Sequence, residues 1–148
     1  MKNLQSKIAI FIADDDPDEM CLFKNALDDV EIPHDLAWFK NGELLLSNLK
    51  NDDFKNPDII FLDLNMPVMS GLECLTAIRN SENLKALKVI IYSTSDNPTD
   101  IKNTFAAEAD FYLKKPGTYG QLKKILHEIL IGDFLSHRIR HDLKYYLL

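Results

Sequence analysis

Ile59-Ile60-Phe61-Leu62-Asp63-Leu64-Asn65-Met66-Pro67 is the stretch that decides the fold. Four apolar residues, two of them β-branched, run into a single carboxylate, and a proline closes the segment four residues later. A short, continuously apolar run bounded by turn residues is the pattern of a strand buried on both faces, as in a parallel sheet. Asp63 then stands at the carboxyl end of a central strand, where open α/β sheets place their ligands. An aspartate in that position would, taken alone, merely start a turn. The rest of the chain gives it company.

Upstream, Lys7-Ile8-Ala9-Ile10-Phe11-Ile12 reads as a first buried strand, ending at Asp14-Asp15-Asp16-Pro17-Asp18-Glu19. Carboxylates favour the positive end of a helix dipole, so part of this acidic run is a helix start. Asp16 fits the N-cap, Pro17 the first helical position and Glu19 the third, a capping-box arrangement. Asp14 and Asp15 are left over, before the cap. Two adjacent carboxylates repel, so their placement suggests a cation between them. From Asp18 to about Asp29 the residues Met20, Phe23, Ala26 (or Leu27) and Val30 recur at helical spacing. Ile32-Pro33 breaks that helix, His34 to Phe39 alternates loosely as a strand, and Asn41-Gly42 opens a short helix through Leu49. Asn51 to Pro57 is a polar loop into the central strand.

Downstream of Asp63, Ser70-Gly71-Leu72-Glu73 is a capping box for a helix carrying Leu72, Leu75 and Ile78. Lys88 to Tyr92 is a fourth strand, followed by Ser93-Thr94-Ser95, and Asn97-Pro98 caps the next helix as Asp16-Pro17 does. Asp110 to Leu113 is a short fifth strand, running into Lys114-Lys115-Pro116-Gly117. Thr118 and Gln121 form one more capping box, ahead of a wide apolar stripe of Leu122, Ile125, Leu126, Ile129 and Leu130. Strands alternating with helices specify an α/β domain, a parallel sheet covered on both faces by right-handed crossovers. Residues 1–131 form this domain. Residues 132–148 change character: Leu135, Ile139, Leu143 and Tyr146 (or Leu147) are spaced as one face of a further helix, a C-terminal helical extension.

With 148 residues, 46% of them hydrophobic, the chain suits one domain with its own core. A net charge of −6 argues against binding a nucleic-acid backbone or an anionic membrane surface. No apolar run reaches the length of a membrane span and no signal peptide opens the chain. Cys21 and Cys74 lie in no metal-like spacing and read as two small core residues of a cytoplasmic protein. The four histidines share no ligand-like cluster and read as surface residues.

Parallel strands share direction, so residues at their carboxyl ends meet on one edge. That edge collects Asp14 and Asp15 after strand one, Asp63 after strand three, Ser93 after strand four and Lys115 after strand five. Left unneutralised, like charges ~4 Å apart repel by roughly 4 kcal/mol per pair at a surface-like dielectric. One Mg²⁺ and one lysine ammonium would balance three carboxylates, and a hard divalent cation held by carboxylates and waters is how Mg²⁺ serves phosphate chemistry. Asp63 is then a candidate nucleophile, since carboxylates form acyl-phosphate intermediates. Metal, lysine and the Ser93 hydroxyl would stabilise charge on the transferring phosphoryl oxygens.

On these motifs, residues 5–131 resemble a response-regulator receiver domain of two-component signalling. The resemblance rests on Asp14-Asp15, Phe61-Leu62-Asp63-Leu64-Asn65-Met66-Pro67, Ser93 and Lys115-Pro116 in that order and spacing. It implies a flavodoxin-like, doubly wound sheet of order 2-1-3-4-5. It implies that Asp63 is the phosphoacceptor, that Asp14 and Asp15 bind Mg²⁺ with the backbone carbonyl of Asn65 as a further ligand, and that Lys115 precedes a cis proline at Pro116. It further implies Ser93 as the switch hydroxyl, where threonine is the commoner choice, and Tyr112 as the aromatic that turns inward when that hydroxyl moves. Ser95, two positions on, is expected to influence how long a phosphoryl group survives. Lys114 competes with Lys115 for the lysine role, but only the latter directly precedes the proline.

The implied function is a stand-alone receiver. It takes a phosphoryl group from a sensor histidine kinase or a histidine phosphotransfer protein, loses it by Mg²⁺-dependent self-hydrolysis, and signals to a partner protein. It is not otherwise an enzyme. The alternative is a phosphorylation-independent (degenerate) receiver acting as an interaction or dimerisation module. A haloacid-dehalogenase-like phosphatase would need a second aspartate where Asn65 stands, and a flavodoxin-like cofactor binder would not follow its first strand with an acidic run. The extension either covers the chain's own domain or forms a homodimer interface.

Overall fold

The computed structural model describes residues 7–132. Strands β1 (Ile8–Ala13), β2 (His34–Phe39), β3 (Ile59–Leu62), β4 (Val89–Ser93) and β5 (Phe111–Lys114) alternate with helices α1 (Pro17–Asp29), α2 (Gly42–Leu49), α3 (Gly71–Arg79), α4 (Pro98–Ala106) and α5 (Tyr119–Ile131). All strand pairs are parallel, in the order β2-β1-β3-β4-β5. This is the expected doubly wound α/β sheet. The expected extension, residues 132–148, lies outside the described residues but for Gly132, the C-cap of α5.

β3 shows why its sequence is apolar without interruption. Ile59 and Phe61 join a core beneath α1 and α5, while Ile60 and Leu62 join a second core beneath α2 and α3. All four side chains are buried, because adjacent side chains leave a strand on opposite faces and helices cover both. The first core is aromatic at its centre, where Phe23, Phe61 and Tyr92 meet edge to face. These rings lie directly under the carboxyl edge of the sheet.

Register brings the chemistry to that edge. Ala13 pairs with Leu62, so Asp14 and Asp63 follow neighbouring strands at the same level. The Asp63 amide donates to the Ala13 carbonyl at 3.0 Å, and the Lys115 amide to the Ser93 carbonyl at 2.8 Å, extending the ladder past each strand end. β4 and β5 each end one residue later than the sequence suggests, so Ser93 closes β4 instead of following it.

Helix starts follow the capping logic with differences. Ser70 and Glu73 form the full reciprocal box. Thr118 makes only the forward half among the described residues, accepting from the Gln121 amide at 3.2 Å. Asp16 caps α1 by accepting from the Asp18 and Glu19 amides, but its own amide donates to Asp14 Oδ1 at 2.9 Å. The Glu19 carboxylate is thereby released for another partner. Two further expectations are corrected. Cys21 is exposed, since it falls on the outer face of α1 between the buried Met20 and Phe23, whereas Cys74 is buried and its thiol is pushed up to about 12 by burial. The Lys115–Pro116 peptide is trans, not cis. The two forms before proline differ by only about 0.5–1 kcal/mol, so sequence does not set the isomer.

Candidate functional site

The site is built around the Lys115 ammonium. Its Nζ donates to Asp14 Oδ2 at 3.0 Å, to Asp63 Oδ2 at 3.3 Å and, closer still, to Glu19 Oε2. β1, β3, β5 and the first turn of α1 thus each supply one group. The lysine side chain is 10% exposed. Its charged end stands 5.2 Å from the centre of the Tyr92 ring, on top of the aromatic core. Carboxylate oxygens of Asp14, Glu19 and Asp63 lie within 4.8 Å of one another.

Electrostatics follow from burial and crowding. Burial is the main reason the Asp63 carboxyl is held above its ordinary pKa. Lys115 opposes that shift and the Asp14 charge reinforces it. Glu19 is also raised, chiefly by burial, with Lys115 again opposing. For Lys115 burial disfavours the charged form, yet the Glu19 hydrogen bond and the Asp63 and Asp14 charges outweigh it and raise its pKa. Several carboxylates around one ammonium leave the site over-negative, and their oxygens are hard donors of the kind Mg²⁺ takes. The donor set therefore fits a divalent cation.

The remaining expected residues divide. Asp15 is exposed and outside the cluster of close carboxylate oxygens. Asn65 is at the edge, its amide donating to Asp63 Oδ1 at 3.3 Å. Ser93 is buried, and its Oγ accepts from the Ser95 amide at 3.1 Å. Ser95 Oγ donates to Asp100 at 2.7 Å. Lys114 points elsewhere and pairs with Asp96 at 3.0 Å.

Tyr112 is 1% exposed, and its hydroxyl donates to the Ser95 carbonyl at 2.7 Å. The ring is thus inward while Ser93 is still bonded to the loop after β4.

Three contributors escaped the sequence reading. Glu19 had a sufficient local role as a helix-start carboxylate; only its place in the first helical turn after the β1 edge hinted at more. The Trp38 indole donates to the Asp14 carbonyl at 2.6 Å, tying β2 to the acidic loop. Gly71, read within a capping box, has a second reason: a Cβ there would lie 2.2 Å from the Asp63 carbonyl oxygen and 2.7 Å from Leu64 Cα. Only glycine lets α3 start so close to the phosphoacceptor candidate, and its amide donates to the Leu64 carbonyl at 2.9 Å.

A five-stranded 2-1-3-4-5 sheet with carboxylates and a lysine at its carboxyl edge defines a class, and residues 10–127 match the family model of that class, the response regulator receiver domain. The chain belongs to this family. It is similar to the response regulator Rcp1 of Synechocystis, 27% identical over 124 residues that cover 81% of this chain and 84% of that protein. It is 32% identical to the chemotaxis protein CheY-3 of Vibrio cholerae, over 85% of this chain and 94% of that one. Among solved structures, the phosphorylated cyanobacterial phytochrome response regulator RcpA matches with a TM-score of 0.80 and 29% identity, over 88% of this chain and 96% of that chain. The Mn²⁺-bound form of Rcp1 matches with a TM-score of 0.74 and 26% identity, over 82% and 91%. No helix among the described residues is long and apolar enough to cross a membrane.

Proposed function

We propose that this receiver accepts a phosphoryl group on Asp63 from a phosphohistidine of a sensor kinase or phosphotransfer protein, in the cytoplasm, and acts through a partner protein. The observation that carries this reading is the Asp63–Lys115–Asp14 arrangement: a buried carboxylate at the sheet edge with an ammonium already bonded to the oxygen that would attack. Asp63 Oδ attacks phosphorus, the bond from phosphorus to the histidine nitrogen breaks, and its electron pair stays with the imidazole. Lys115 is within reach of charge developing on the phosphoryl oxygens. Mg²⁺, when bound, would neutralise phosphoryl charge; Asp14 and Asp63 would hold it, with Asp15 and the Asn65 carbonyl as the further ligands the family resemblance assigns. Hydrolysis by water returns Asp63 to the carboxylate, so the protein catalyses only its own phosphorylation and dephosphorylation.

Ser93 and Tyr112 form the switch of this reading. A phosphoryl group offers strong acceptors to which the Ser93 O–H can donate, Ser93 Oγ accepts from the Ser95 amide, and Tyr112 is anchored to that same loop. Support comes from the family membership and from the phosphorylated state of RcpA and the Mn²⁺-bound state of Rcp1, as said of those proteins. A homodimer is the further possibility that this reading leaves to test, by sedimentation of the protein with and without residues 133–148.

The test is phosphoryl uptake by intact-protein mass, using acetyl phosphate with and without Mg²⁺. One added phosphoryl group that requires Mg²⁺ and is absent in Asp63→Asn is the expected result. No uptake by folded wild type would overturn the reading in favour of a phosphorylation-independent interaction module.

A further inference from the structure

We propose that Glu19 is a positioning residue, one of two fixed legs that aim the Lys115 ammonium at the group carried by Asp63. This rests on the phosphoacceptor reading above. An ammonium has three N–H donors. Here they go to three carboxylates: Asp14, Asp63 and Glu19. When Asp63 carries a phosphoryl group, the bond to its Oδ2 is the one that must be redirected to a phosphoryl oxygen. The other two remain, and they fix where the third points.

Both legs stand on rigid ground. Asp14 is fully buried, and its other oxygen accepts from the Asp16 amide at 2.9 Å. Glu19 sits in the first turn of α1, whose N-cap Asp16 binds the Glu19 amide. Below the ammonium, Tyr92 is wedged between Phe23 and Phe61 and leaves the lysine nowhere to drop. Without the Glu19 leg, a flexible four-carbon stem would hold its charge by Asp14 alone once Asp63 is modified. A capping role does not account for the geometry, because the Asp16 amide that a capping glutamate would accept from is taken by Asp14.

The experiment compares wild type with Glu19→Met, which keeps length and helix propensity but removes the acceptor, and Glu19→Gln, which keeps an acceptor oxygen. Asp18→Ala, an exposed carboxylate in the same turn, controls for helix-end charge. Two quantities are read. One is the rate constant of phosphoryl uptake from acetyl phosphate at saturating Mg²⁺; the other is the ¹⁵N–¹H signal of the Lys115 ammonium in unphosphorylated protein. In Glu19→Met a fall of about ten-fold in rate is expected, less than the roughly 10²-fold that a 1 Å misplacement can cost because the Asp14 leg remains, together with loss of the slowly exchanging ammonium signal. Glu19→Gln should restore most of both, and Asp18→Ala should leave both unchanged.

Wild-type rate and signal in Glu19→Met would overturn the proposal. A faster rate would also overturn it, since Glu19 would then hold the lysine away from the reaction. So would a Glu19→Gln as slow as Glu19→Met, which would make charge and not the bond decisive. If wild type takes up no phosphoryl group, the receiver chemistry fails separately, and the ammonium signal still reports whether Glu19 holds Lys115.

Discussion

Asp63 is 6% exposed, faces the Asp14 and Glu19 carboxylates, and has one ammonium to share with them. Its pKa is raised on folding, by burial first. For such a group the stabilisation is complete below the unfolded carboxylate pKa, about 4, and is lost as pH rises through the folded value. At neutral pH the ionised Asp63 therefore opposes the fold of the metal-free protein. Asp63→Asn is expected to stabilise that form at pH 7 and to raise its Tm. The gain should shrink as pH falls toward 4. Thermal melts in chelator at several pH values check this; a lower Tm for the variant would mean that the bond to Lys115 outweighs burial. Asp14, Asp63, Ser93 and Lys115 were legible because each directly ends or follows a buried strand. Glu19 and Trp38 were not, because their partners are more than twenty residues away and each has an adequate local explanation.

Elements were legible where pattern and tertiary demand agree. The apolar run of β3 and the Ser70–Glu73 cap could be read directly; the one-residue shifts of β4 and β5 arise because backbone pairing, not side-chain pattern, sets where a strand ends. The closeness of α3 to β3 was invisible, since it depends on what glycine lacks. Gly71→Ala would push a methyl group into the Asp63 carbonyl, backbone that cannot swing aside. A loss of about 1–3 kcal/mol is expected from such overpacking, with slower phosphoryl uptake by the fraction that folds. Arg79 gives the contrasting case at the opposite edge of the sheet. It pairs with the buried Asp110 at 3.0 Å and donates to the carbonyls of Lys85, Leu87 and Glu108. Arg79→Ala removes the guanidinium paired with that buried carboxylate and should cost about 3–5 kcal/mol in urea unfolding. Its folded fraction should take up phosphoryl groups at the wild-type rate. If the two variants slow uptake equally, Gly71 acts through global stability and not through the placement of Asp63.

At the scale of the molecule, one end of the sheet concentrates negative charge in a protein already at −6, and the acidic loop there is tied to β2 by the chain's single tryptophan. A cation bound to the folded site and not to the unfolded chain must raise stability by mass action. At a Mg²⁺ concentration a hundred-fold above its dissociation constant, the gain is about 2.7 kcal/mol. For a chain of this length that is a rise of roughly 5–10 °C in Tm. Trp38 should report the same event, because its indole N–H is bonded to the carbonyl of Asp14, and any shift of that loop changes the donor's surroundings. Mg²⁺ titration should therefore change the tryptophan emission along the binding isotherm that the Tm rise requires. Trp38→Phe should abolish the optical signal while keeping most of the thermal one. An emission change without added stability would place the cation away from the Asp14–Asp63 pair, on a surface that folded and unfolded chains share. Added stability without an emission change would mean that Asp14 receives the cation with its backbone unmoved, and that β2 is a fixed wall of the site and takes no part in its response.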